Sequence, residues 1–261
     1  MKLIKLYSSI LTLLAILSCS TNDINNNQNG LANFQTTCVN GNGNNTLTGP
    51  TGAYYKYAQT GVIPLTQVPI LQNPQLLPFP HSSPLFVITL PQGYKGEESR
   101  PLIANAPFPL GIDIDRNDGA VTWDYVPSST YPPNFGVNDI MKVVIDNMLN
   151  TYDFNGIDDV VCSINVPQSF SGINFIYASR FLRFGRFTAI VWINVKELPF
   201  GNFSVTSSVS AGPTNEFDRL VLDIFLPLSN QLLVGGGSLS DRDNDGTPDI
   251  YDREPDNPNI Q

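Results

Sequence analysis

Oxygen donors recur with a fixed rhythm near the C-terminal end of the sequence, in Asp241-Arg-Asp-Asn-Asp-Gly-Thr-Pro-Asp-Ile-Tyr-Asp252. Asp241, Asp243, Asp245, Thr247, Asp249 and Asp252 hold loop positions one, three, five, seven, nine and twelve, and Gly246 holds position six. Calcium is a hard cation that takes roughly six to eight oxygens, and a loop with this spacing supplies them. Thr247 would serve through its backbone carbonyl, which any residue offers, and Gly246 permits the sharp turn. Without a cation the five carboxylates repel one another, so Ca2+ is expected to fold the loop. Mg2+ suits it less, because it demands a tight octahedron and sheds water reluctantly. The alternative reading of the same residues is a solvated acidic tail.

A second stretch, Gly111-Ile-Asp-Ile-Asp-Arg-Asn-Asp-Gly119, repeats the rhythm in part. Asp113, Asp115 and Asn117 fall at positions one, three and five and Asp124 at twelve, whereas Asp118 takes the glycine position and Val121 the ninth. It reads either as a second, weaker calcium candidate or as an acidic turn between strands. Chemistry beyond cation binding has little to work with. The sequence has no Gly-x-Ser-x-Gly elbow, phosphate-binding loop or His-Glu-x-x-His, and its single histidine, His81, lies in a proline-rich stretch. The expectation is a non-enzymatic protein. Two readings compete with it. A carboxylate pair drawn from Asp113, Asp115, Asp158 or Asp159 would serve a glycosidase. Exposed Tyr54, Tyr55, Tyr57, Trp123 or Trp192 would bind a glycan without cleaving it, unless each packs in the core.

The N-terminal residues carry the three parts of an export signal: Lys2 and Lys5, the apolar run Leu6–Leu17, and Ile16-Leu17-Ser18-Cys19. The last four resemble the bacterial lipobox, in which a cysteine after a small residue is lipidated and becomes the first residue of the mature protein. Ile16 and Ser18 fit; Leu17 departs from the usual small residue, so the match is to relaxed, spirochaete-type lipoboxes. The resemblance implies lipidation of Cys19 and attachment to the membrane of the cell envelope, at the outer membrane and suited to surface display. Cleavage after Ser20, giving a secreted protein, is the alternative. With Cys19 assigned to lipid, Cys38 and Cys162 remain, to be either a disulfide in an oxidising compartment or two separate buried thiols.

Asp-x-Asp-Asn-Asp-Gly-x-x-Asp-x-x-Asp, with Pro255 and Asn257-Pro-Asn-Ile-Gln261 after it, is similar to a thrombospondin type 3 repeat. That family binds Ca2+ through these aspartates in extracellular proteins and bacterial envelope lipoproteins. The resemblance covers about twenty residues. Glu254 stands where animal members carry a cysteine, and a single copy is present where the family works in arrays. An EF-hand suits the residues less, since Pro255 and Pro258 forbid a following helix.

The elements that would position these groups read as mainly β. At 261 residues, 41% hydrophobic and 14% charged, the chain can bury a core, and its net charge of -9 argues against nucleic acid, whose phosphates select lysine and arginine. The expected organisation is a signal peptide over 1–18, lipidated Cys19 and an Asn/Gly-rich tether over 19–50, a β-rich domain over 51–234, and a glycine linker with the calcium segment over 235–261. Leu85–Leu90 reads as a strand among prolines. Val137–Tyr152 reads as a helix capped by Asn138 or Asp139, with Ile140, Val144, Ile145, Met148 and Leu149 as its apolar stripe. Val160, Cys162, Ile164 and Val166 alternate, and Ile173–Tyr177, Phe187–Val195, Phe203–Val209 and Asp218–Leu226 follow as strands. Arg180, Arg183 and Arg186 are expected to pair with local carboxylates. The sum is an antiparallel β-sandwich-like domain with one packed helix. Its partners are expected to be the membrane, through the anchor, and an extracellular protein or glycan.

Overall fold

The computed structural model describes residues 31–40, 43–57, 70–76, 88–99, 111–170 and 173–235. Cys19, His81 and the loop Asp241–Asp252 lie outside them.

Eleven strands and four helices are formed by the described residues. In chain order the strands are β1 (Gln35–Asn40), β2 (Gly43–Thr48), β3 (Gln75–Leu76), β4 (Thr89–Leu90), β5 (Tyr94–Ser99), β6 (Gly111–Arg116), β7 (Thr122–Tyr131), β8 (Asp159–Phe170), β9 (Ile173–Phe184), β10 (Phe187–Glu197) and β11 (Phe203–Pro213). The helices are α1 (Gly49–Tyr57), α2 (Val137–Thr151), α3 (Phe217–Leu220) and α4 (Leu226–Gly235), with a π-helical turn, Val221–Phe225, joining the last two. Seven strands make one antiparallel sheet in the order β5-β6-β7-β11-β10-β9-β8. The fold is mainly β and antiparallel, as the alternation implies, with the expected helix over Val137–Thr151 packed on the sheet and further helices on its other face.

The sheet separates two cores. On one face α2 buries Ile140, Met141, Val144, Ile145, Met148 and Leu149 against Leu182, Val191, Ile193 and Val209. Its cap is Gly136, whose N–H donates to Asp139 Oδ2 at 2.8 Å, so Asp139 reaches back from inside the first turn instead of sitting at the cap. On the other face Ile112, Ile114, Trp123, Phe181 and Ile190 meet Tyr54 and Tyr55 of α1 and Phe217, Leu220, Val221 and Phe225 of the C-terminal helices. Tyr54 Oη lies 2.9 Å from Ser210 Oγ and 3.2 Å from Ser229 Oγ, tying α1, β11 and α4 together.

Two expectations are corrected, and a third lies partly outside the described residues. Residues 31–50 are not tether: β1 and β2 pair as a hairpin that buries Leu31, Cys38 and Leu47. Their polar composition conceals this because a bond, not apolar area, holds them: Cys38 and Cys162 are joined as a disulfide, with Cα atoms 5.6 Å apart. The expected strand Asp218–Leu226 is helical. Phe217, Leu220, Val221, Phe225 and Leu228 recur at helical spacing and are buried, as is Leu226, while Leu222 and Ile224 of the alternating set are half-exposed. Both edges of β11 are already paired, with β7 and β10, so no partner is free beside it. Of Leu85–Leu90, only Thr89–Leu90 is strand among the described residues, and Gln231 of α4 brackets it. The Thr89 N–H donates to Gln231 Oε1 at 2.8 Å and Gln231 Nε2 donates to the Thr89 carbonyl at 3.2 Å.

The alternation in β8 is also interrupted. The register with β9 shifts between Val160 and Cys162, a bulge. Val160 opposes Leu182 and packs on the α2 face, whereas Cys162 opposes Phe181 on the other. The carbonyl of the bulged Val161 accepts from Asn45 Nδ2 at 2.8 Å. One extra residue thus turns Cys162 toward Cys38, and the polar hairpin satisfies the carbonyl it frees.

Candidate functional site

Strand pairing brings the acidic residues of the second calcium candidate to one place. Asp113 on β6 lies directly opposite Asp124 on β7, and Asp115 lies opposite Thr122. On the other side of β6, Glu97 of β5 opposes Asp113 and Lys95 opposes Asp115. All six therefore share the α2 face of the sheet. With Val126, Val209 and, from α2, Val144, Asn147, Met148 and Thr151, the aspartates line a cavity of about 210 Å³.

The hairpin that creates this pairing is a local matter. Arg116 N–H donates to the Val121 carbonyl at 2.9 Å, Gly119 adopts a positive φ of 71°, and Asp118 Oδ1 accepts from the Ala120 N–H at 2.9 Å. Asp118 also holds Arg116, whose other terminus reaches Glu216 at 2.9 Å. Asn117 is exposed in the turn. The stretch Asp113–Asp124 is thus a tight hairpin, the acidic turn between strands that its residues equally allow. Among the described residues no three His, Cys, Asp or Glu side chains are placed to hold a metal.

The pair has unusual acid–base character. Burial raises the Asp124 carboxyl well above the usual range, and the neighbouring Asp113 charge adds to it. Burial also raises Asp113, with a hydrogen bond from Asp124 acting in the opposite sense and the Asp115 and Glu97 charges adding to the rise. A proton held by Asp124 would be donated to Asp113 across the strand pair. Asp124 Oδ1 is buried and has no hydrogen-bond partner among the described residues. Asp115 is better provided, accepting from Thr122 Oγ1 at 2.8 Å and facing Lys95 Nζ at 3.9 Å.

A raised pKa in the folded state makes the proton a stabilising ligand. The contribution is complete below the unfolded value of about 4 and is lost as pH rises toward the folded one. Asp124→Asn keeps the shape and a donor to Asp113 without a charge to bury. At pH 8 it is expected to raise the melting temperature by about 2–4 °C, roughly 1 kcal/mol in a domain of this size, and to flatten the decline between pH 4 and 8. Calorimetric melts across that range check this, and an equal loss of stability at every pH would contradict it.

The other candidates are dispersed. Asp158 and Asp159 stand at the start of β8, at the opposite edge of the sheet, and do not line the cavity. Tyr54, Tyr55 and Trp123 are buried core residues and offer no glycan platform, while Tyr57 and Trp192 are half-buried. Arg180 donates to Asn138 and Asn165 side chains and to the Ile164 and Ser179 carbonyls, so amides take the place expected for carboxylates. Arg186 sits in the β9–β10 turn, 5.1 Å from the Phe187 ring centroid. The face-sharing of Asp113 and Asp124 was open to a hairpin reading, since Asn117-Asp-Gly119 is a turn signal between alternating segments.

No protein-family model matches the chain, and no curated protein matches it. Among solved structures, that of cyanobacterial PsbP (CyanoP) from Synechocystis sp. PCC 6803 is similar over 51% of this chain and 76% of that one, at 9% identity and a TM-score of 0.30. A likeness of that degree carries no argument about what this chain does.

Proposed function

We propose that the chain is a non-enzymatic lipoprotein of the cell envelope, anchored at the outer membrane through Cys19 and suited to surface display. Its C-terminal loop binds Ca2+ through Asp241, Asp243, Asp245, the Thr247 carbonyl, Asp249 and Asp252. The observation that supports export is the Cys38–Cys162 disulfide, since such bonds persist in oxidising compartments and are rare in the reducing cytosol. The acidic net charge of -9 suits a calcium-binding surface protein. An adhesive role toward an extracellular protein or glycan belongs to the same reading.

The anchor and the loop are tested together. In membrane fractionation with detergent phase partition, Cys19→Ala is expected to move the protein from the detergent to the aqueous phase. Isothermal calorimetry is expected to give a calcium dissociation constant on the order of 10⁻⁴–10⁻³ M, as for other extracellular sites, and Asp245→Ala to abolish the heat. Retention of the alanine variant in the detergent phase would sink the anchor, and unchanged heat with Asp245→Ala would sink the calcium assignment.

A further inference from the structure

The far end of the β8–β9 hairpin is not accounted for by the anchor, the C-terminal loop or the acidic pair. β8 is the outermost strand of the sheet, and an exposed edge strand ordinarily carries charges that blunt it. From Val160 to Ser179 the hairpin holds no Asp, Glu, Lys, Arg or His, in a chain that is 14% charged with a net charge of -9. Five large apolar residues are exposed among the described ones, and three of them, Val166, Ile173 and Ile176, lie on this hairpin. Pairing of β9 with β10 stops at Ile176, opposite Val195. Ile173–Phe175 and their β8 partners Gln168–Phe170 therefore run on as a two-stranded ribbon.

Register decides how the apolar residues are arranged. Val166 opposes Tyr177, which alternation puts on the same face as Ile173 and Phe175, the face that carries Phe181. Ile176, opposite Pro167, points to the other face, that of Ala178 and Leu182. Apolar groups thus look out from both sides of the ribbon. A second copy of the chain, or another folded protein, would cover one face and leave the other wet, whereas a bilayer covers both at once. The backbone limits the depth. The outer edge of β8 carries N–H and C=O groups that hydrocarbon cannot satisfy, so the ribbon stays at the boundary of headgroups and acyl chains, where Gln168, Ser169 and Asn174 keep polar contacts. Pro167 removes one outward donor from that edge. Distance also permits the contact. Cys19 stands twelve residues before Leu31, no more than about 40 Å of chain. Eight residues from Cys162 to Phe170 place the tip about 27 Å from the disulfide to Cys38.

We propose that the free end of the β8–β9 hairpin docks on a lipid bilayer, with Val166, Ile173 and Ile176 entering the boundary between headgroups and acyl chains. The proposal rests on the lipoprotein reading for its partner, the membrane that holds the anchor, and adds an orientation to it: the domain lies against that membrane by this hairpin instead of hanging free.

Tryptophan quenching in vesicles of phosphatidylcholine brominated on its acyl chains is the test, with the full chain as purified. Relative to unbrominated vesicles, Ile173→Trp is expected to lose about half or more of the emission it adds to that of Trp123 and Trp192. Arg186→Trp, in the β9–β10 turn about 40 Å away along β9, should lose none. Added to Ile173→Trp, Ile176→Asp should abolish the loss, and the isosteric Asn174→Asp, at an exposed position that touches no core residue, should reduce it. No loss with Ile173→Trp, an equal loss with Arg186→Trp, or a loss that survives both aspartates would each overturn the proposal. So would self-association of the wild type without lipid that Ile176→Asp removes, which would give the patch to a second copy. Failure of the anchor is read separately. The mass of the purified chain shows whether Cys19 carries lipid, and if it carries none the quenching is measured with vesicles added in excess, with the same outcomes expected.

Discussion

Removing the Cys38–Cys162 disulfide is expected to destabilise the domain by about 5 kcal/mol, the loop-closure entropy for a bridge between residues 124 positions apart. For a domain of roughly 200 residues that corresponds to a fall in melting temperature of about 10–20 °C. The bond matters more here than its loop length alone suggests. The hairpin β1–β2 contributes few apolar residues to the core, chiefly Cys38 and Leu47, and Asn45 holds the bulge carbonyl of β8 from the same hairpin. Reduction should release the hairpin first. Melts of the double variant Cys38→Ala/Cys162→Ala and of wild type under reductant should coincide, with hydrogen exchange over 35–48 rising in both before the sheet opens. A shift of under 2 °C on reduction would mean that apolar packing, and not the bond, holds the hairpin.

Phe225→Ala is expected to cost about 3–5 kcal/mol, the range for deleting a buried aromatic ring with incomplete collapse of the space it leaves. Phe225 is fully buried on the π-helical turn. Its ring centroid lies 5.5 Å from that of Phe217 and 6.2 Å from that of Tyr54. It therefore joins the C-terminal helices to α1, which also meets them through Asp218 Oδ1, an acceptor for the Thr51 N–H at 3.0 Å and hydroxyl at 2.6 Å. Leu222→Ala, on the half-exposed side of the same turn, should cost well under half as much. Urea titration of both variants separates the cases. Similar midpoints would return Leu222 and Phe225 to the equivalent status of an alternating strand.

The long strands and the packed helix could be read from residues alone because one physical rule was sufficient for each. Ile190 and Trp192 alternate with Val191 and Ile193 along β10, and both sets are covered, which a central strand requires. The stripe from Ile140 to Leu149 recurs at the period of a helix and at no other. Gly185, with φ of 53° at the first central position of the β9–β10 turn, is the residue such a hairpin calls for.

The segments misread were those where two rules competed. Phe217–Leu228 satisfies both periods, and what separates them is the absence of a free strand edge beside β11, a fact of the sheet and not of the segment. The hairpin 35–48 looks like linker because its stabilisation is covalent and its partner lies more than a hundred residues away. Asp113–Asp124 fits the spacing of a cation loop, and the tight turn at Asp118-Gly119 sets the same residues as a cross-strand pair.

By itself the sequence determined what is local in origin: the acidic spacing of Asp241–Asp252, the periods of β10 and α2, and the mainly β class. These follow from neighbouring residues, whose spacing is the same in any conformation. Tertiary structure alone decided that Cys162 meets Cys38, that a bulge at Val161 turns it there, and that Asp113 and Asp124 face each other at the floor of a cavity beneath α2. Each depends on register between strands, and a register is settled by the whole sheet: a shift of one residue would move Asp124 to the opposite face and leave its neighbours in sequence unchanged.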